Sequence, residues 1–178
     1  MRSSVNILAC SSYRVAREGA VFRIVTAVLG LWVLASVLVH RLPHAVSDRS
    51  GAPLLPGAEI APSVSDVFKH ACVDCHSEKT QWPCYSNWAP ASWLIEGDVK
   101  RARSRLNLSR WDSVDMGEQR ALLTAIATVI ENHEMPPHRY VILHPQARLS
   151  EDDSVQVIEW TSAERGRLRV SLGALSKN

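Results

Sequence analysis

Residues 24–39, IVTAVLGLWVLASVLV, limit this chain's options more than any other stretch: sixteen uncharged and mostly apolar residues, flanked by Arg23 and by His40-Arg41. As a helix they cover about 24 Å at ~1.5 Å per residue, against a hydrocarbon core of ~30 Å. Val21 and Phe22 lengthen the run, and Arg23 can snorkel to the headgroups, so a short membrane span over 21–41 is feasible. Two other readings compete with a permanent anchor. One is a cleaved signal, for which Ala45-Val46-Ser47 offers small residues; the other is a buried core helix. Arg2, Arg14, Arg17 and Arg23 precede the run with only Glu18 opposing, which holds the N-terminus in the cytoplasm and exports everything after His40. Residues 1–20 then read as a poorly ordered cytoplasmic tail, and a start nearer Val21 would leave a tidier anchor. Cys10 lacks the preceding apolar region of a lipoprotein signal and is incidental.

Charge says little about partners. A formal net charge of +2 over 178 residues, without a Lys/Arg block interleaved with aromatics, gives no footprint for nucleic acid. Residues 42–62 hold Pro53, Pro56, Pro62, Gly51 and Gly57 and read as a flexible linker. The domain expected over 63–165 is all-α. One helix is capped at Ser63 or Ser65 and runs to about 76; a second starts behind Pro90 and covers 91–105. A third covers 117–132, with Leu122, Leu123, Ile126, Val129 and Ile130 at helical spacing, and stops before Met135-Pro136-Pro137. A fourth starts at Ser150, which with Asp153 makes a variant of the capping box, and continues to Trp160. Residues 166–178 read as a flexible tail.

Residues 69–86, KHACVDCHSEKTQWPCYS, carry three of the four cysteines. Cys72, Cys75 and His76 spell C-x-x-C-H, which fits a covalent haem, a zinc knuckle or a redox dithiol. For haem c, two sulfurs on one helical turn match the spacing of the porphyrin's two vinyl groups, and the next histidine ligates iron. That attachment is made outside the cytoplasm, where the N-terminus independently sends the domain. Zinc would use Cys72, Cys75, Cys84 and His70 or His76, a sufficient count without a second C-x-x-C. A thioredoxin-like dithiol needs a βαβ context that is not visible. With His76 as one axial ligand, Met135 is the main candidate for the other, since it lies in a loop stiffened by two prolines. His133, His138, His144 and an open position are the alternatives. The aromatic residues Trp82, Tyr85, Trp93 and Tyr140 can supply the crevice for a porphyrin, although aromatics also fill ordinary cores.

In order along the chain come Cys75-His76-Ser77, Thr80, Trp82-Pro83-Cys84-Tyr85-Ser86, Ala89-Pro90 and Ser92-Trp93-Leu94. Asp98-Val99, Arg103, Leu106-Asn107, Ser109 and Trp111 follow, then Met135-Pro136-Pro137, Tyr140, His144-Pro145, Ala147, Leu149-Ser150 and Trp160. Across 62–160 this pattern resembles the bacterial haem-binding domain family of small cytochrome c-like proteins. The departures are Cys84 in place of a tryptophan, Ala102 in place of a glycine and Glu78 in place of an asparagine. The resemblance implies that Cys72 and Cys75 hold the haem, with His76 and Met135 as the metal ligands. The expectation is a membrane-tethered, periplasm-facing monohaem c-type cytochrome domain that passes single electrons. A haem peroxidase or gas or redox sensor with a labile sixth ligand is the alternative. The implied partners are redox proteins of the periplasm or inner membrane, and the cytochrome c maturation machinery.

Overall fold

The computed structural model of the chain describes residues 4–40 and 53–176. Among these no strand occurs, and seven α-helices follow one another. They are α1 Ser4–His40, α2 Pro62–Ala71, α3 Val73–His76, α4 Ala91–Arg105, α5 Met116–Glu131, α6 His138–Leu143 and α7 Glu151–Leu175. The chain divides into two compact units, one of Met1–Pro43 with Pro83–Ile95 and one of His44–Trp82 with Glu96–Asn178.

In the first unit, α1 holds one stretch long and apolar enough to cross a membrane, Gly19–Leu38, with a mean hydropathy of 2.2 over its best window. Its large side chains are bare, Phe22 being 71% exposed and Leu31 67%. The buried core helix is therefore ruled out, because a core helix covers such surface. The helix also reaches back to Ser4, so residues 4–20 are not the poorly ordered tail expected from the sequence. No proline interrupts them, and Ala9, Arg14, Ala16, Arg17 and Glu18 are good helix formers.

The second unit is built around α2, α5 and α7. Val64, Val67 and Phe68 of α2, Leu123, Ile126 and Ile130 of α5, and Val157, Trp160 and Leu168 of α7 are all buried. The three- and four-residue spacings put each set on one helical face. Phe68 meets Trp160 edge-to-face with ring centroids 5.3 Å apart. The Ser150–Asp153 capping box forms as expected and fixes where α7 begins. Asp115 caps α5 by accepting from the backbone N–H groups of Gly117 and Glu118.

Two expected boundaries move. Residues 42–52 of the linker lie outside the described residues, but 53–61 are packed rather than free. Leu55 is 1% exposed and donates its N–H to the Leu108 carbonyl at 2.9 Å, while Trp160 Nε1 donates to the Glu59 carbonyl at 2.7 Å. The second correction concerns 166–178, where α7 continues to Leu175. Leu168 is buried, and Arg167 binds the buried Glu164 and the Gly57 carbonyl, which gives the last turns a tertiary reason to persist. The first predicted helix is also broken in two at Cys72, whose φ of −121° and ψ of −34° separate α2 from α3.

Candidate functional site

The break at Cys72 shapes the attachment turn. Cys72 donates its N–H to the Phe68 carbonyl at 3.0 Å, and its own carbonyl accepts from His76 at 2.9 Å and from Cys75 at 3.2 Å. Cys72, Cys75 and His76 thus sit within one turn, and both thiols are free. The turn is fastened to residues 106–110. The Glu78 N–H donates to Ser109 Oγ at 3.0 Å, and the buried Glu78 carboxylate accepts from Arg110 Nε at 2.5 Å and Asn107 Nδ2 at 3.3 Å.

His76 Nδ1 lies 3.1 Å from the Leu106 carbonyl oxygen. A carbonyl can only accept, so Nδ1 carries the proton and Nε2 keeps its lone pair, the arrangement of a metal-binding histidine held by an outer-shell acceptor. Burial lowers the pKa of the ring, which favours the neutral, ligating form, while the Leu106 bond opposes that shift.

Both thiols move the other way. Burial first, and the neighbouring Cys75 second, push Cys72 up to about 12; burial first, with Asp74 and Asp98 next, pushes Cys75 up to about 11. Redox dithiols work through a cysteine with a lowered pKa, so this pair is poorly suited to thiol–disulfide exchange. Among the described residues no three His, Cys, Asp or Glu side chains form a group that could hold a metal ion.

A cleft of about 420 Å³ opens beside the turn, entirely within the second unit. That volume falls in the ~300–1,000 Å³ range of cofactor pockets. Phe68, Leu106, Leu122, Ile126 and Ile130 make its wall predominantly apolar. Of the sequence candidates it brings together Cys72, Cys75, His76, Met135 and Tyr140. Met135 arrives there because α5 ends in a tight turn: Val129's carbonyl accepts from Glu134 at 2.8 Å and from Met135 at 3.3 Å, and His133 adopts φ 56°. His133 and His138 line an adjoining cavity of about 240 Å³ that shares Ile130, Met135, Pro136 and Leu149 with the cleft, and His144 stacks on Tyr140 with centroids 4.3 Å apart. Trp82 is half-buried but does not line the cleft, while Tyr85 and the exposed Trp93 belong to the first unit. Within the second unit the wall is supplied by aliphatic side chains of α5 and by Phe68.

Sequence reasoning missed the polar members of the cleft, Asp98, Arg101, Arg105 and Arg139. The first three recur at i, i+3 and i+7 along α4, which is the signal that places them on one face. It also missed a strap across the site. Tyr140 Oη donates to Asp74 Oδ2 at 2.8 Å, and the Gln81 N–H donates to Asp74 Oδ1 at 3.0 Å. Asp74 lies between the two cysteines and Tyr140 in α6, just after Met135, so one hydroxyl ties the two halves of the site. Tyr140→Phe should cost about 1–2 kcal/mol, the scale of a partly buried bond to a carboxylate, and lower the thermal midpoint by several degrees. Calorimetry of the holo-protein against wild type checks this, and an unchanged midpoint would show the strap to be idle.

A donor-bearing turn, a histidine whose Nδ1 is held by the Leu106 carbonyl and an apolar cleft of cofactor size fit a haem. The family described as "Haem-binding domain" matches residues 33–163. The chain belongs to this haem-binding domain family. Among curated proteins, this haem-binding domain is 24% identical over 103 residues to the cytochrome c peroxidase Ccp of Escherichia coli (strain K12). That alignment covers 56% of this chain and 22% of the peroxidase, so the chain spans about a fifth of that relative. No solved structure matches the chain.

Proposed function

We propose that the chain is a membrane-tethered c-type haem protein of the periplasm, working in one-electron redox chemistry. The observation that carries this reading is the shared cleft: Cys72, Cys75, His76 and Met135 all line it. In that reading Cys72 and Cys75 would hold the haem through their sulfurs, and His76 through Nε2 and Met135 through its thioether would hold its iron. A haem in the cleft supplies a reversible one-electron couple at its iron. The Leu106 carbonyl orients His76, the α5 and Phe68 wall excludes water, and the α5–α6 loop sets how firmly Met135 stays in place. The segment α1 keeps the domain near membrane-bound donors and acceptors, which raises their effective concentration.

A second reading is favoured by the comparison itself, because the relative is named as a peroxidase. In that reading Met135 would be a displaceable residue of the cleft, and the haem held by Cys72, Cys75 and His76 would supply peroxide or gas chemistry. The relative's name speaks for this reading more directly than any comparison speaks for pure electron carriage. The matched part is 22% of that peroxidase, so its activity is carried to this chain only as a proposal.

One preparation separates these readings. The full chain is produced alongside cytochrome c maturation machinery, and its mass, pyridine haemochrome spectrum and near-infrared spectrum are recorded. A covalent haem, a methionine–iron charge-transfer band and no response of the reduced protein to carbon monoxide support the electron carrier. Ready carbon monoxide binding together with rapid peroxide consumption transfers the conclusion to the peroxidase reading. Bare polypeptide mass in the presence of working machinery would remove both.

A further inference from the structure

The charged residues of the cleft are unevenly balanced. Three arginines, Arg101, Arg105 and Arg139, line it against a single carboxylate, Asp98. Asp98 is shared: Arg101 Nη2 contacts its Oδ1, and Arg139 Nη2 donates to its Oδ2 at 3.0 Å. Arg105 makes no ion pair among the described residues. Two positive charges at the rim of an apolar cleft are therefore left uncompensated. They lie where α4's polar face meets the start of α6, and the guanidinium groups are largely exposed, at 68% for Arg101 and 74% for Arg139.

Such a rim matches one feature of the cofactor that neither the cysteines nor the axial ligands serve. A porphyrin of the haem type is an apolar disc with its vinyl groups towards one edge and two propionate carboxylates towards another. Arginine is suited to these carboxylates, since its planar fork donates two parallel hydrogen bonds and it stays charged. We infer that Arg105, with Arg101 and Arg139, seats the two propionates of the haem. Asp98 is the placeholder of this arrangement: it pre-orients Arg101 and Arg139, whose own side chains are exposed, so the pairs give up little when a propionate joins them. The inference rests on the haem reading above and deepens it by assigning the cofactor's polar edge.

The test uses haemin and its dimethyl ester, which differ only in the propionate charges. The full chain carrying Cys72→Ala and Cys75→Ala is titrated with each, so that binding is non-covalent and reversible. The arginine seat predicts that haemin binds about five- to tenfold tighter than the ester. Arg105→Gln should remove most of that preference, and Arg169→Gln, the same charge change at an exposed site away from the cleft, should leave it intact. Equal affinity for acid and ester, or equal loss in both arginine variants, would overturn the assignment and leave these arginines a solvated face or a docking surface for an acidic protein. A second readout uses the covalent protein with both cysteines present. Arg105→Gln should lower the reduction potential, because a positive charge near the propionates disfavours the ferric state; no shift relative to Arg169→Gln counts against the seat. Covalent haem in the mass spectrum with no arginine effect refutes only this inference, whereas absence of covalent haem refutes the parent reading.

Discussion

Replacing both Cys72 and Cys75 with alanine is expected to abolish covalent haem and leave the domain without a cooperative thermal transition until free haemin is supplied. The argument concerns packing as much as attachment. Phe68, Ile126 and Ile130 belong to the hydrophobic core and also line the cleft, so the walls of the site are the walls of the fold. Without the haem the apolar wall of this cleft of about 420 Å³ faces water, losing about 25 cal/mol for each Å² of apolar surface left uncovered. Whole domains are stable by ~5–15 kcal/mol. Small helical domains of this length have little reserve core to absorb such a loss. Mass spectrometry of the mature chain and a near-ultraviolet circular dichroism melt read the two halves of the prediction. Normal amounts of covalent haem would break the attachment assignment, and a native-like melt of the haem-free chain would show that the core stands without its cofactor.

The parts of this architecture that are legible from the sequence are those with local causes. α5 shows an apolar face at helical spacing, and α7 starts at a capping box made by residues three apart. The C-x-x-C-H motif is likewise confined to one turn. What the sequence hides depends on distant partners. Residues 53–61 look like a linker because prolines, glycines and alanines dominate them, yet Leu55 is held by Leu108 and Glu59 by Trp160, across 53 and 101 positions. The end of α7 has one buried apolar side chain beyond Trp160 in Leu168, too sparse to mark a periodic face. α6 has six residues, below the length at which periodicity is readable. Arg139 joins Asp98 from 41 residues away, so the cationic rim exists only once α6 has folded back on the site.

Met135→Ala is expected to turn a reduced protein that is inert to carbon monoxide into one that binds it stoichiometrically, with loss of the near-infrared methionine band and a lower reduction potential. A thioether is a soft ligand that favours ferrous iron, so removing it shifts the couple towards the ferric state. Covalent haem and the overall fold should survive. Met135 is 37% exposed in the α5–α6 loop, and the core contact of Phe68 with Trp160 does not involve it. The same variant also weighs the two functional readings. If the wild-type haem only relays electrons, Met135→Ala should gain peroxide consumption that the wild type lacks, because a sixth position has been opened where none was offered. If the wild type already consumes peroxide and binds carbon monoxide, the substitution should change both little, and Met135 would be a lining residue of a peroxidase cleft rather than a ligand. An unchanged near-infrared band in the variant would move the sixth ligand to another side chain and require the α5–α6 loop to be assigned afresh.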